Sequence, residues 1–97
     1  MKNPEPVPRN MGIATWSMED GIAFEVALDG INNVVGAYTR LIAQAGSADD
    51  TQQARDLAAE RTRWSARRRS LTPDDRGAVD AVTTESARLL QQLRARR

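Results

Sequence analysis

The sequence FEVALDGINNVVGAYTRLIAQA, residues 24–45, carries apolar side chains at alternating intervals of four and three residues. This spacing places them on one side of an α-helix, where they can face a hydrophobic core. The main row is Phe24, Leu28, Ile31, Val35, Tyr38, Ile42 and Ala45, and a second row beside it is Ala27, Val34 and Leu41. Together the rows are wider than a two-stranded coiled-coil seam, which indicates a core-facing helix.

Local signals predict that this helix spans 18–45. Ser17 is a favourable N-cap residue, and Glu19 and Asp20 bring negative charge to the positively polarised helix start. Gly46 suits the position just beyond the helix end.

The same helix contains a lane of small residues, namely Ala23, Ala27, Gly30, Val34 and Ala37. A glycine in a helix interior costs up to about 1 kcal/mol relative to alanine, so the lane needs an explanation. Close packing of a second helix is one interpretation. The other is a groove in which a partner protein approaches the backbone.

Two shorter helices are predicted after the first, over 50–70 and 73–95. Arginine stems help to cover the thin apolar face of the second helix. That face is Ala54, Leu57, Ala58, Arg61, Trp64, Ser65, Arg68 and Leu71. Thr72 as a cap, Pro73 at the first helical position and Asp75 in the first turn predict the start of the third helix. Its face is Val79, Val82, Ser86, Leu89 or Leu90, and Leu93.

These patterns predict an all-α fold, a small three-helix bundle over 17–97 with one long N-terminal helix. The first helix is longer and more apolar than the other two, so we expect them to leave part of its apolar face uncovered. Residues 1–16 hold three of the four prolines and are predicted to form an extended or disordered tail.

The chain contains no cysteine and no histidine among its 97 residues. That removes thiol nucleophiles, the usual zinc sites and histidine general bases. Motifs for phosphate, dinucleotide or calcium binding are also absent, so we expect no enzymatic activity, no cofactor and no metal site. No segment has the roughly 20 apolar residues that cross a bilayer, and the N-terminus lacks a signal-peptide pattern. We therefore expect a cytoplasmic protein that does not enter membranes.

Charge is unevenly distributed along the chain, although the net charge is only +1. Residues 1–50 carry three basic and seven acidic side chains, whereas residues 51–97 carry eleven arginines and six acidic side chains. The two halves can neutralise each other when they fold together, or they can present two differently charged faces to a partner.

Glu25, Asp29 and Asn32 fall on one side of the first helix, opposite its apolar rows, and Asn33 lies beside them. Such a row can engage a basic or phosphate-binding pocket of another protein, although a solvated helix face is the simpler interpretation. Two asparagines within a helix favour a functional role, because asparagine is a poor helix former.

A basic run, Arg61–Arg69, surrounds Trp64 and permits two interpretations. It has the composition of a nucleic-acid-binding patch, but Arg61 and Arg68 share the apolar face with Trp64 and can support the core instead. The small net charge and the low aromatic content weaken a nucleic-acid role. The sequence Trp-Ser-Ala at 64–66 is similar to the Trp-x-Gly turn of secreted helical-hairpin proteins, with alanine replacing glycine.

The segments WSMEDGIAFEVALDGINNVVGAYTRLIA (residues 16–43) and ERTRWSARRRSLTPDD (residues 60–75) precede a final helix. In length and helix order the chain resembles the three-helix antitoxins that neutralise zeta-type kinase toxins. The resemblance covers residues 17–97 in architecture, without a signature motif. It implies a bundle that lacks a DNA-binding domain and blocks the toxin's nucleotide site, chiefly through its N-terminal helix. It also implies that Glu25, Asp29 and Asn33 lie near the toxin pocket.

We therefore predict a non-enzymatic protein-binding module, most concretely an antitoxin that occludes the active site of a cognate toxin. The predicted partner-binding residues are Trp16, Phe24, Glu25, Asp29, Asn32, Asn33 and Arg40. The alternatives are a self-associating structural or secreted helical-hairpin protein, which would be a homo-oligomer, and a nucleic-acid accessory protein.

Overall fold

The computed structural model describes residues 17–96, which form three α-helices and no β-strand. The helices are α1 (Met18–Ser47), α2 (Thr51–Ser70) and α3 (Arg76–Ala95). The predicted all-α three-helix bundle is confirmed, whereas the tail predicted over 1–16 lies outside the described residues. With 30 residues, α1 is about 45 Å long at 1.5 Å per residue.

Both shorter helices pack along α1, and their backbones do not approach each other closely. After the short loop 48–50, α2 turns back along α1. The third helix runs parallel to α1, since Arg76 meets Asp20 near the starts of the two helices and Arg40 meets Leu93 near their ends. No Cα atom of α2 lies within 8 Å of one in α3, so only side chains connect these two helices.

The start of α1 agrees with the prediction. The Ser17 hydroxyl accepts a hydrogen bond from the Asp20 amide at 3.1 Å, and the Asp20 carboxylate accepts one from the Ser17 amide at 3.3 Å. This reciprocal pair is a capping box, which gives partners to two backbone donors that a helix start would otherwise leave without them.

The end of α1 differs from the prediction. Gly46 lies inside the last turn, the helix continues to Ser47, and Asp49 adopts the left-handed backbone with φ of 59°. The Asp49 amide donates to the Gly46 carbonyl at 3.1 Å, and the Asp50 amide donates to the Ala45 carbonyl at 2.8 Å. These two bonds form a Schellman motif. Aspartate tolerates the left-handed region better than most residues, so the helix can end without a glycine there.

The second helix begins as predicted. The Asp50 carboxylate accepts a hydrogen bond from the Gln53 amide at 3.1 Å and caps α2, whose end at Ser70 also agrees with the predicted span of 50–70.

The prediction that Thr72 caps the third helix is wrong. The Thr72 hydroxyl donates to the Asp74 carboxylate at 2.6 Å, and the Asp75 amide donates to the Thr72 carbonyl at 3.3 Å. This segment, including Pro73, therefore forms a turn that precedes the helix. The Asp75 carboxylate is the cap, because it accepts a hydrogen bond from the Ala78 amide at 3.1 Å.

The hydrophobic core lies on the side of α1 that faces both neighbours. Ile31, Val34 and Val79 are its largest fully buried side chains. The second apolar row of α1 occupies the centre of the core, whereas Phe24 and Val35 of the main row are half-buried at its edge. The second row is the more buried because α3 packs close beside it.

Gly30 determines how closely α3 approaches α1. A Cβ atom placed on Gly30 would overlap the Ser86 hydroxyl and lie 3.1 Å from the Ser86 Cβ. Ser86 is itself buried, and its hydroxyl donates to the Thr83 carbonyl at 3.1 Å. Close packing of a second helix therefore explains the lane of small residues, in which Ala27 and Val34 are completely buried.

We expect Gly30→Ala to destabilise the bundle. The added methyl group must displace Ser86, and overpacking of this kind costs about 1–3 kcal/mol, which exceeds the gain of about 1 kcal/mol in helix propensity. Chemical denaturation monitored by circular dichroism measures the change. The control is Gly46→Ala, since nothing lies within 4 Å of its added Cβ atom, and equal losses for both variants would contradict the interpretation.

An ion pair joins the starts of α1 and α3. The Arg76 guanidinium contacts the Asp20 carboxylate and the Asp80 carboxylate, each at 2.9 Å. The hydrogen bond from Arg76, followed by that from the Ser17 amide, lowers the pKa of Asp20 below its ordinary value of 3.8. Asp20 therefore both caps its own helix and holds the start of α3.

The stabilisation of the fold by the Asp20–Arg76 pair should depend on pH. Because the pKa of Asp20 is lowered in the folded chain, its stabilising effect is present above the ordinary carboxyl pKa and disappears as the pH falls through the folded value. Arg76→Gln should therefore lower the melting temperature at neutral pH, and the difference from wild type should vanish in strong acid. Arg55→Gln, on the exposed side of α2, should show no such trend. A difference for Arg76→Gln that is constant with pH would contradict this account.

Candidate protein-binding face of α1

One side of α1 turns away from both α2 and α3. We call it the open face of α1 and define it as Met18, Ile22, Glu25, Val26, Asp29, Asn32 and Asn33, all of which are exposed. Within residues 17–96, neither the carboxylates of Glu25 and Asp29 nor the amides of Asn32 and Asn33 form a hydrogen bond or an ion pair. Their polar atoms are therefore available to a partner.

The open face is also apolar near the start of the helix. Met18, Ile22 and Val26 are 83%, 59% and 49% exposed, and they are the only large hydrophobic side chains in the described chain that are exposed. They lie four residues apart and so form one stripe along the helix. The expectation that α2 and α3 leave part of the predicted apolar face uncovered is wrong, because the two helices bury or half-bury every residue of its rows. The exposed apolar surface of α1 is this separate stripe, outside those rows.

A shallow groove between α1 and α3 borders the open face. Its volume is about 250 Å³, and Val26, Asp29 and Asn33 line it on the α1 side. Ala87 and Leu90 of α3 line the opposite wall. The groove combines apolar walls with one carboxylate and one amide at its edge, which suits the side chain of a protein partner better than a free ion.

The predicted binding residues are not all on this face. Glu25, Asp29, Asn32 and Asn33 are brought together, whereas Trp16 lies outside the described residues. Phe24 is half-buried and packs against the core, because it belongs to the main apolar row. Arg40 is exposed further along α1, and its guanidinium donates to the Leu93 carbonyl of α3 at 3.4 Å.

The sequence patterns did not predict that Met18, Ile22 and Val26 belong to this candidate surface. The signal was present in the helical periodicity, since steps of three and four from Asp29 lead back to Val26, Ile22 and Met18. Apolar residues near a helix start are easily assigned to the core when the number and position of the neighbouring helices are unknown.

The acidic first half is only partly neutralised by the basic second half. The Asp20–Arg76 pair is the one ion pair that joins them within residues 17–96. The other arginines in ion pairs contact acids of their own half, with Arg63 on Glu60 at 3.0 Å and Arg67 on Glu85 at 2.8 Å. The open face of α1 therefore keeps its negative charge.

The basic run on α2 partly supports the core, through Arg61 as predicted and through Arg67, which the sequence pattern did not indicate. The Arg67 guanidinium lies 4.6 Å from the centre of the Trp64 ring, in a cation–π contact. Arg61 is half-buried as expected, and it donates to the Thr39 hydroxyl of α1 at 3.1 Å. Arg68 is exposed and does not cover Trp64, because the ring turns toward the preceding arginine.

Within residues 17–96, no group of three or more acidic side chains is arranged to hold a metal ion. None of the three described helices is long and apolar enough to cross a membrane.

Comparison with known proteins gives no match: no family model fits the chain, and no curated protein or solved structure is detectably similar to it.

If the acidic residues of the open face serve binding and not folding, removing their charge should leave stability unchanged. We expect Glu25→Gln/Asp29→Asn to unfold within about 0.5 kcal/mol of wild type, as is usual for surface changes without structural partners. Asp75→Ala, which removes the cap of α3, should cost about 1 kcal/mol in the same assay. A loss of that size in the double variant would assign these carboxylates a structural role. The assay is denaturant unfolding at a protein concentration low enough to avoid association.

Proposed function

We propose that this protein is a non-enzymatic protein-binding module whose partner covers the open face of α1. The observation that carries the proposal is the presence, on one helix face, of unpaired carboxylates and amides next to three exposed apolar side chains. A surface with an apolar centre and polar groups around it is typical of protein interfaces. The carboxylates would orient a basic partner and speed its association.

The rigidity of the face supports the same conclusion. Because both α2 and α3 pack along the opposite side of α1, the helix is already ordered before any partner binds. Binding to a preformed helix avoids much of the entropy loss that ordering a flexible segment requires. The capping box at Ser17 keeps the first turn, which carries Met18, in helical form.

The most concrete form of the proposal is an antitoxin that occludes the active site of a zeta-type kinase toxin. The resemblance in length and helix order supports this choice, as does the negative charge of the face. A kinase site must bind phosphate groups and is lined by basic residues, to which Glu25 and Asp29 are complementary. In this arrangement α1 covers the site sterically, and Asn33 at the edge of the groove supplies hydrogen bonds.

The test uses the full chain and a purified zeta-type kinase toxin. The purified chain should inhibit the kinase in competition with nucleotide, and its co-expression should restore growth of cells that produce the toxin. Glu25→Gln/Asp29→Asn should weaken inhibition about ten-fold, mainly through slower association that becomes less evident at high salt.

The matched control is Asp56→Asn/Glu60→Gln on α2, which changes the net charge by the same amount away from the open face. Its inhibition should remain close to that of wild type. Failure of the wild-type chain to inhibit would overturn the choice of partner. Equal weakening by both double variants would overturn the choice of face.

A further inference from the structure

The open face of α1 contains a regular pattern of exposed residues that folding of the single chain does not use. Ile22, Val26, Asp29 and Asn33 follow one another at intervals of four, three and four residues, and all four are exposed. These are the intervals at which side chains meet across a pair of long helices. The apolar rows in the core show the same alternation on the other side of the helix.

The alternation continues without a break to the end of α1. After Asn33 come Gly36, Arg40, Ala43 and Ser47, again at steps of three and four, and each of them is exposed. Here the residues are small, apart from the arginine. The first half of the row therefore carries bulk and negative charge, and the second half carries open space and positive charge.

We propose that a second copy of this chain covers this row, with the two α1 helices antiparallel about a two-fold axis that passes midway between Asn33 and Gly36 of the row. The antiparallel direction follows from the change in side-chain size and charge along the row. An antiparallel pair places the bulky acidic half of each copy on the small basic half of the other. A parallel pair would instead place Asp29 beside Asp29 and Arg40 beside Arg40. A two-fold arrangement of this kind forms a closed dimer.

In the proposed antiparallel pair, each large apolar side chain faces a small side chain. Ile22 of one copy faces Ser47 of the other, and Val26 faces Ala43. Each pair joins one large side chain to one small side chain, so the helices can approach closely along their whole length. The dimer would remove Ile22 and Val26 from water, and together these are two of the three large hydrophobic side chains exposed in the described chain.

The polar residues of the row face groups of opposite charge or positions with room for their side chains. Asp29, which has no partner within residues 17–96 of its own chain, faces Arg40 of the second copy. The recorded hydrogen bond of Arg40 to the Leu93 carbonyl uses one nitrogen at 3.4 Å, which leaves other donors of its guanidinium for a carboxylate. At the centre, Asn33 faces Gly36, and no atom lies within 4 Å of a Cβ built on that glycine. A single asparagine in such a row fixes the register of paired helices.

This inference does not rest on the proposed function. A dimer can form whether or not a toxin binds, and an antitoxin can act as a monomer. If both proposals hold, the dimer and the toxin compete for the open face, because Asp29 and Asn33 belong to both interfaces.

A charge exchange tests the pairing directly. Sedimentation equilibrium of the full chain should give a dimer whose dissociation constant rises at least ten-fold in Asp29→Arg and in Arg40→Asp. The double variant Asp29→Arg/Arg40→Asp should return to within about three-fold of wild type, since it restores opposite charges across the two-fold axis. The two positions lie about 16 Å apart along one helix, so a restored contact can only join two copies.

Wild-type chain that remains monomeric at all concentrations would overturn the proposal. So would single variants that dimerise normally, or a double variant that stays monomeric although its circular dichroism and melting temperature match wild type.

Disulfide cross-linking gives an independent measure of direction, because the chain has no cysteine of its own. A mixture of Ile22→Cys and Ser47→Cys chains should form a mixed covalent dimer, and each variant alone should form little. Rapid cross-linking of each variant alone would show a parallel pair and overturn the register.

Discussion

The backbones of α2 and α3 do not approach each other closely, and this constraint shapes the rest of the molecule. Both depend on α1, which must present a broad apolar side to two neighbours at once. At the contact between Gly30 and Ser86, a glycine lets α3 approach α1 where any side chain would hold it away. The wide core-facing side of α1 and its lane of small residues are two consequences of the same requirement.

The same constraint leaves the opposite side of α1 without a folding role. Glu25 and Asp29 have no partners in the bundle, and Met18 and Ile22 remain exposed, so the residue types found there are not dictated by the core. The acidic first half and the basic second half of the chain also remain largely unpaired in the folded protein. Most acids of α1 face away from α3 and α2, and only Asp20 points toward an arginine of the second half. A negatively charged helix with an apolar start is what remains for intermolecular contact.

Much of the fold follows from local patterns. The capping box at Ser17, the cap at Asp50 and the buried positions of Val79 and Val82 depend on short-range spacing, which the sequence displays directly. The predictions of the end of α1 and of the start of α3 were wrong because two local signals competed at each position. At Asp49 an aspartate took the left-handed position expected for glycine, and at Asp75 a carboxylate displaced Thr72 as the cap.

The candidate site was harder to predict, because exposure depends on where the neighbouring helices lie. Periodicity placed Glu25, Asp29 and Asn32 on one side of α1. Without the positions of α2 and α3, it could not show that Ile22 and Val26 belong to that side's exposed surface. Likewise, the sequence placed arginines near Trp64 but could not select Arg67 as the one that covers its ring.

The absence of backbone contact between α2 and α3 also divides the bundle into two parts that can open separately. Release of α3 from α1 breaks the contacts at Gly30 and Asp20, and it also breaks the exposed ion pair between Arg67 of α2 and Glu85 of α3. Leu57 and Trp64, the buried residues of α2, belong to the hairpin of α1 and α2. The arrangement therefore predicts that α3 can open as a separate cooperative unit, whose amide protons exchange without unfolding of the whole chain.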